Sequence, residues 1–253
     1  MKTYIISCIE YIVQYFSYLK FNSALFNSTY MVAHNLSGHQ ERPDMDSFCS
    51  LAVSVDCVIF GSDQDQLKVL LMPCHEPGHQ GQWILPGDTV QVQEELDAAA
   101  HRVSQTIAGT DFPHLSQLQA FGSVQRHPAA RVISVAYYTL VHLRENNFPL
   151  PGELRWFLLK DLPALAFDHG TIVTAARDRL QQKLQEQPPD LRLLPRRFSF
   201  RELQDLYEAV LDHKLDRRNF RKKVLAMNLL VDLHEAESNV SHRPAKIYGR
   251  QPD

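Results

Sequence analysis

Cysteine is scarce in this sequence and is not arranged for metal binding or cross-linking. Only four cysteines occur in 253 residues, and no two have the C-x-x-C spacing of a zinc or redox motif. Cys57 lies inside an apolar run, so we expect a buried, unreactive thiol there. The pattern demands no oxidising compartment, and we expect a cytoplasmic protein without a metal or a cofactor.

Long uninterrupted apolar segments are also missing. The apolar stretch from Tyr4 to Leu19 is broken by Glu10 and Gln14, and it falls short of the about 20 residues that a membrane span needs. It also lacks the clean apolar core and the cleavage site of a signal peptide. We interpret residues 1–50 as an extension, disordered or arising from a start assigned too early. An amphipathic add-on and a targeting segment are the alternatives.

Neither sign of charge dominates the whole chain, which excludes a general polycation. The formal net charge is −3. Residues 196–253, however, hold 12 Lys and Arg against 9 Asp and Glu, a local net charge of +3. A basic C-terminal region on an acidic body predicts an anionic partner for that region alone.

The remaining composition is that of a globular protein, and its pattern predicts a mixed sandwich over residues 51–187. The sequence is 44% hydrophobic, enough for a real core. Strands are predicted at 51–60, 66–74, 118–124, 131–143 and 154–159, and helices at 94–108 and 171–187. This order favours an α/β/α sandwich over a doubly wound parallel sheet.

A second domain is predicted at residues 198–253, after a proline-containing linker at 188–197. Ser199 and Glu202 form a capping box that begins one helix, and Asp216 caps a second, basic helix. Short strands are expected at 229–233 and 245–249. This pattern is typical of a winged helix-turn-helix, so the predicted class is α+β.

The basic helix and the wing supply the candidate DNA contacts. They are Arg217, Arg218, Asn219, Arg221, Lys222, Lys223, Arg243 and Lys246. The first three lie near the helix start and are predicted to read bases, because arginine pairs with guanine and asparagine with adenine. The next three are predicted to bind phosphates, and the last two belong to the wing. A merely solvated charged face is the alternative.

The stretch that ends at Gly109 resembles the signature of the Nudix family, G-x5-E-x7-R-E-U-x-E-E-x-G-U, in which U is aliphatic. Glu94, Arg102 and Gly109 fit the signature at the right spacing. The resemblance implies a Nudix fold in which Glu94 and Arg102 form a structural ion pair.

The rest of that signature is degenerate. Asp88 replaces the first glycine, and Val103, Thr106 and Ile107 replace the three helix glutamates. Clustered carboxylates are what Mg²⁺ requires, and an aliphatic side chain cannot ligate it. We therefore expect no catalytic residues, although a Nudix hydrolase acting on a nucleoside diphosphate derivative such as ADP-ribose is the alternative.

From position 51 to the end, the chain resembles the Nudix-related transcriptional regulators of the NrtR type. The matching pieces are ELQDLYEAVL, LDRRNFRKKV and HRPAKIY in the C-terminal part, and AFGSVQR, SVAYYTL and LPALAFDH before it. The last three look closer to the sugar-responsive branch, such as the arabinose-responsive regulators. The resemblance implies a homodimer that binds a double-stranded DNA operator and responds to a small molecule. A scaffold protein that no longer binds DNA is a further alternative.

The candidate effector pocket is assembled from five residues: Asp88, Arg126, Tyr137, Asp168 and His169. A carboxylate at position 88 would repel a diphosphate, whereas it would accept hydroxyl protons from a neutral sugar. The sequence therefore favours a monosaccharide effector, with ADP-ribose as the alternative. Packing or helix-capping roles are the alternatives for Tyr137, Asp168 and His169.

Overall fold

A computed structural model describes the chain from residue 51 onward, with gaps. The described residues are 51–63, 66–107, 109, 112, 114–128, 130–143, 150–186, 194, 196–236 and 244–250. The predicted extension, most of the predicted linker and the wing residue Arg243 lie outside these ranges. In the part of the chain that is described, no helix is long and apolar enough to cross a membrane.

The order of elements begins with the predicted sandwich. It comprises β1 (Ala52–Asp63), β2 (Gln66–Pro73), β3 (Trp83–Ile84), β4 (Gly87–Thr89), α1 (Leu96–Ile107), β5 (Ser116–Phe121), β6 (Val132–His142), β7 (Arg155–Leu158) and α2 (His169–Glu186). A single 3-10 turn, Leu159–Asp161, precedes α2. The strands form a seven-stranded sheet with the path β3-β2-β1-β6-β5, in which β4 also pairs with β1 and β7 with β2. Since β1 pairs with β6 in parallel and with β2 antiparallel, the sheet is mixed, as predicted.

Two hydrophobic cores lie on opposite faces of this sheet, and β1 contributes to both. Its residues Val55, Cys57 and Ile59 pack with α1, whereas Val58 and Phe60 pack with α2. This division follows from the alternation of side chains along a strand. Burial raises the pKa of the Cys57 thiol to about 12, so the prediction of an inert buried thiol is confirmed.

The C-terminal region contains β8 (Arg197–Ser199), α3 (Phe200–Leu211), α4 (Arg217–Ala226), β9 (Leu230–Ala236) and β10 (Lys246–Arg250). Both predicted helix starts are confirmed: Ser199 and Glu202 form a complete capping box, and Asp216 accepts a hydrogen bond from the Asn219 amide. The three strands form a sheet in the order β8-β10-β9. Of these three strands only β8 was not predicted, because Arg197 was assigned to the linker; in the sandwich, the short strands β3 and β4 were not predicted either.

The C-terminal helices share a core with the sandwich. Leu203 and Leu206 of α3 belong to the same buried cluster as Ile172 and Leu180 of α2. The side-chain amide of Gln181 also donates a hydrogen bond to the Val210 carbonyl, at 2.8 Å. Helix α2 therefore contacts both the sheet and the helix-turn-helix.

Candidate functional site

Arg102 holds the loop before α1 onto that helix. Its Nε and Nη2 donate to the two carboxylate oxygens of Glu94, at 2.7 and 3.0 Å. Its Nη1 donates to Asp88, at 2.6 Å, and its Nη2 also reaches the Thr89 carbonyl. The hydrogen bond from Arg102 holds the pKa of Glu94 below its usual range. The charge of Asp88 is therefore shared with a guanidinium, which the sequence analysis did not foresee.

The residues at the three helix-glutamate positions of the Nudix signature, Val103, Thr106 and Ile107, pack in the core or form a hydrogen bond within α1. Val103 is fully buried and Ile107 packs beside it. The hydroxyl of Thr106 donates to the Arg102 carbonyl within the same helix, at 2.6 Å. Among the residues with described positions, no group of three His, Cys, Asp or Glu side chains could hold a metal ion.

A second set of polar residues lies on the other face of the sheet, and we call it the buried ionic cluster: Asp56, Arg126, Ser134, Asp168 and His169. Arg126 donates to Asp168 through Nε at 3.0 Å and through Nη2 at 2.9 Å, and Nη2 also reaches Asp56 at 3.2 Å. The Ser134 hydroxyl donates to Asp56 at 2.5 Å. One guanidinium thus pairs with two carboxylates inside the protein, where an unpaired charge would be costly.

Glycine is required where β4 passes the cluster. A side-chain carbon placed on Gly87 would lie 2.3 Å from a carboxylate oxygen of Asp56 and 2.7 Å from the Val55 carbonyl. Such a contact is far closer than packing allows. The close approach of β4 therefore covers Asp56, and this explains why its carboxylate is buried in an otherwise apolar strand.

His169 takes part in the buried ionic cluster as an uncharged imidazole. Its Nδ1 accepts a hydrogen bond from the Leu85 amide, at 2.9 Å, and a protonated imidazole has no acceptor to offer. Burial lowers the pKa of His169, although Asp56 and Asp168 act in the opposite direction. The first residue of α2 is therefore anchored to the loop before β4 in its uncharged form.

We expect this histidine to make folding stability depend on pH. Its pKa in the folded protein is lowered, so between that value and the unfolded value of about 6.5 the unfolded chain binds more protons. Stability is therefore lost as the pH falls below about 6.5. Urea unfolding at pH 7.5 and 5.5 should show a larger loss for the natural chain than for His169→Asn, which keeps an acceptor for Leu85. Equal losses would contradict this assignment, because all other titrating groups are shared.

The five predicted effector residues do not form one pocket. Arg126, Asp168 and His169 lie together in the buried ionic cluster, as their grouping in the sequence analysis required. Asp88 and Tyr137 lie on the α1 face, where the Tyr137 hydroxyl donates to Asp97 at 2.6 Å. The Tyr137 ring is only 1% exposed and belongs to the core beside α1, so a ligand on the α2 face does not reach it.

Two members of the buried ionic cluster, Asp56 and Ser134, were missed from the sequence. Asp56 interrupts an apolar strand, and a single charge in such a run was the available signal. Ser134 carried no comparable signal. Its hydroxyl reaches Asp56 because of the parallel register of β1 and β6, which pairs Ser134 with Ser54, two residues before Asp56.

Helix α4 presents a basic surface on the C-terminal region. Its buried side is formed by Val224 and by Phe220, whose ring packs against Phe200 and Tyr207. Arg218 and Lys222 are exposed on the opposite side. Arg217, Asn219 and Lys223 are exposed as well. Among the described residues, no carboxylate pairs with these cations.

Two predicted DNA contacts are engaged within the protein. Arg221 donates to the Tyr248 hydroxyl at 3.0 Å, and its guanidinium lies 5.1 Å from the centre of the Phe200 ring. Lys246 pairs with Asp232 at 2.9 Å, which raises the lysine pKa. Arg221 therefore fastens α4 to β10, and Lys246 joins the two strands of the wing.

The turn between α3 and α4 is held by a buried carboxylate. Glu208 accepts hydrogen bonds from Gln204, Lys214 and the Leu215 amide, at 2.6, 2.8 and 3.0 Å. Burial alone would raise the pKa of Glu208, but these bonds outweigh it and the pKa is lowered. Gln204 also donates to the Leu215 carbonyl. The start of the basic helix is thereby fixed relative to α3.

Comparison with known proteins agrees with both parts of this architecture. The family model of the NUDIX domain matches residues 50–177, and that of the NrtR DNA-binding winged helix domain matches residues 191–249. A curated relative, the ADPR responsive transcriptional repressor NtrR of Acinetobacter baylyi, is 29% identical over 202 residues, which are 78% of this chain and 80% of the relative.

Solved structures give the same result. The structure of Shewanella oneidensis NrtR complexed with a 27mer DNA has a TM-score of 0.68 at 29% identity, over 79% of this chain and 94% of that one. A MutT/nudix family protein from Enterococcus faecalis has the same TM-score at 23% identity, over 90% and 93% of the two chains, and shows the fold alone. The NUDIX match covers half of the sequence, so the chain belongs to the NUDIX family and joins that domain to an NrtR-type winged helix domain.

Proposed function

We propose that this chain is a ligand-responsive transcriptional regulator that binds an operator through α4 and its wing. The observation that carries the proposal is the exposed basic side of α4, the second helix of the helix-turn-helix, whose cations Arg218 and Lys222 pair with no carboxylate of the described residues. Long cations at such a surface neutralise phosphates and release counterions. The named relatives, a repressor and an NrtR bound to DNA, support the same function. A homodimer on a palindromic operator, in the cytoplasm, completes the proposal.

The effector that we propose is a nucleotide sugar of the ADP-ribose type. The Acinetobacter relative is described as ADPR responsive. Repulsion between Asp88 and a diphosphate is reduced, because the Asp88 carboxylate forms an ion pair with the Arg102 guanidinium. A monosaccharide such as arabinose is the second candidate, because carboxylates outnumber the guanidinium in the buried ionic cluster and accept hydroxyl protons.

No hydrolysis forms part of the proposed function. This part of the proposal is supported by the residues at the three helix-glutamate positions of the Nudix signature, which are the fully buried Val103, Thr106 and the packed Ile107. A Mg²⁺ ion would find no clustered carboxylates at these three positions. The named regulator relatives are consistent with a sensor domain rather than an enzyme.

A titration tests the function and the effector together. The full chain is bound to a fluorescent duplex from its own upstream DNA, and ADP-ribose, ADP, ribose and arabinose are added in turn. We expect release by ADP-ribose and little response to the free sugars. Chromatography of the same mixtures with Mg²⁺ should show intact ADP-ribose. Release by arabinose alone would reverse the choice of effector, and absence of duplex binding would contradict the regulator function.

Helix α2 offers a physical connection between the effector site and α4. Asp168 and His169, at its start, belong to the buried ionic cluster. Gln181, three turns later, bonds the Val210 carbonyl in the last turn of α3. A ligand that reorganises the Arg126–Asp168 pair would therefore act on a helix that also contacts the helix-turn-helix.

We expect Gln181→Ala to weaken the response to effector while leaving operator affinity nearly unchanged. Its hydrogen bond joins α2 to α3 but touches no residue of the basic surface. Gln182→Ala is the matched control, because the side-chain amide of that neighbouring glutamine donates to Glu186 within α2. Anisotropy titrations should show a reduced effector-induced change in Kd for the first variant alone. Equal responses in both variants would exclude this contact from the coupling.

A further inference from the structure

One large apolar side chain on α4 has no role in the fold or in the basic surface described above. Leu225 is 40% exposed, whereas Val224 beside it is 2% exposed and belongs to the core. Of the four large apolar side chains that are exposed in the described residues, Leu225 alone lies on the basic helix. An isolated exposed leucine is ordinary on a protein surface, so its meaning depends on its neighbours.

Those neighbours place Leu225 on the outward side of α4. Arg218, Lys222 and Leu225 follow one another at spacings of four and three residues, so they form one stripe along the helix. All three are exposed, and the stripe points away from Phe220 and Val224, which pack into the core. The Arg221 side chain is not part of this stripe, because it donates a hydrogen bond to the Tyr248 hydroxyl of β10. If α4 lies in a DNA groove, as proposed above, Leu225 enters the groove with Arg218 and Lys222.

We propose that Leu225 is a specificity-determining residue that contacts the C5-methyl group of a thymine in the major groove. That methyl is the only apolar feature that a base pair presents there, and apolar side chains contact it. A leucine can neither donate nor accept a hydrogen bond, so it adds selection for thymine without binding phosphate. The inference rests on the proposed function, since it requires α4 to read DNA.

The geometry also predicts where the thymine lies. Arg218 and Leu225 are seven residues apart, which is about 10 Å along a helix. Successive base pairs are about 3.4 Å apart along the duplex axis, and a helix in the groove is inclined to that axis, so the thymine read by Leu225 lies within about three base pairs of the base read by Arg218.

Deoxyuridine, which differs from thymidine only in lacking this methyl, provides the test. The full chain first selects a high-affinity duplex from a randomised library. That duplex is then synthesised again with each thymidine of one half-site replaced in turn by deoxyuridine. We expect one replacement to lower the affinity of the natural chain about fourfold, the effect of losing one buried methyl. The same replacement should have no effect on Leu225→Ala, and Leu225→Met should restore part of the dependence.

Val92→Ala is the matched control, because Val92 is 94% exposed and lies before α1, far from the basic helix in sequence. It should keep the full dependence on the methyl. The assignment would be overturned if no thymine methyl of the enriched duplex affected binding, or if Leu225→Ala still responded to loss of the methyl. Either result would leave the DNA-binding function intact. A change of oligomeric state in Leu225→Ala, seen by sedimentation, would also overturn it. Failure to enrich any duplex would instead contradict both proposals.

Discussion

Arg126→Ala is expected to lower the free energy of unfolding by about 3–5 kcal/mol. The guanidinium of Arg126 forms ion pairs with both Asp56 and Asp168. The side chains of Arg126 and Asp56 are only 5% and 8% exposed. Its removal leaves the Asp56 carboxylate buried beneath β4 with two neutral neighbours, the Ser134 hydroxyl at 2.5 Å and the His169 Nε2 at 4.0 Å. A lone buried charge costs far more than the lost attraction of an exposed pair.

The control for this experiment is Arg177→Ala on α2. Arg177 pairs with Asp178, and those two side chains are 43% and 59% exposed, so its loss should cost less than about 1 kcal/mol. Urea unfolding of the three proteins at pH 7.5 measures the difference. A small cost for Arg126→Ala would mean that water reaches Asp56, and the buried ionic cluster would then be a solvated pocket. The double variant Asp56→Asn/Arg126→Ala should recover part of the loss, because it removes the unpaired charge.

Most of the fold could be predicted from local sequence patterns. Mostly apolar, β-rich runs predicted β1, β2 and β6, and the capping residues Ser199 and Asp216 predicted both helix starts in the C-terminal region. The strand β8 was missed because three residues form a strand only through their pairing with β10, which lies 47 or more residues later in the chain. The strand predicted at 118–124 is displaced to Ser116–Phe121, where a register shift interrupts its pairing with β6.

The site was harder to predict because it depends on which face of the sheet each side chain occupies. Tyr137 was grouped with Arg126 in the sequence analysis, but its strand register places it opposite Cys57, on the α1 face. Asp56 directly precedes Cys57 in β1, so its side chain points to the opposite face of the sheet, the α2 face. Register between β1 and β6 joins residues about 80 positions apart, and no local pattern contains that information.

The double variant Arg218→Ala/Lys222→Ala is expected to weaken operator binding by at least a hundredfold and to reduce sequence selection. Both side chains are exposed on the stripe of α4 that points away from the core. An arginine that bonds a base edge contributes about 1–3 kcal/mol of discrimination, and a lysine on a phosphate contributes at every sequence alike. Removing that lysine should also flatten the dependence of log Kd on log salt by about one unit.

The single variants separate these roles, and Arg201→Ala serves as their control. Arg201 is an exposed cation of the same region, but it lies on α3 and pairs with Asp205 four residues later, so its removal changes the net charge equally without touching α4. Arg218→Ala should reduce the difference in binding free energy between operator and unrelated duplex by about 1–3 kcal/mol, whereas Lys222→Ala should weaken both in proportion. Anisotropy titrations at 50, 100 and 200 mM salt measure both effects. If Arg201→Ala were as damaging as Lys222→Ala, binding would depend on net charge alone, and α4 would not be the helix that reads DNA.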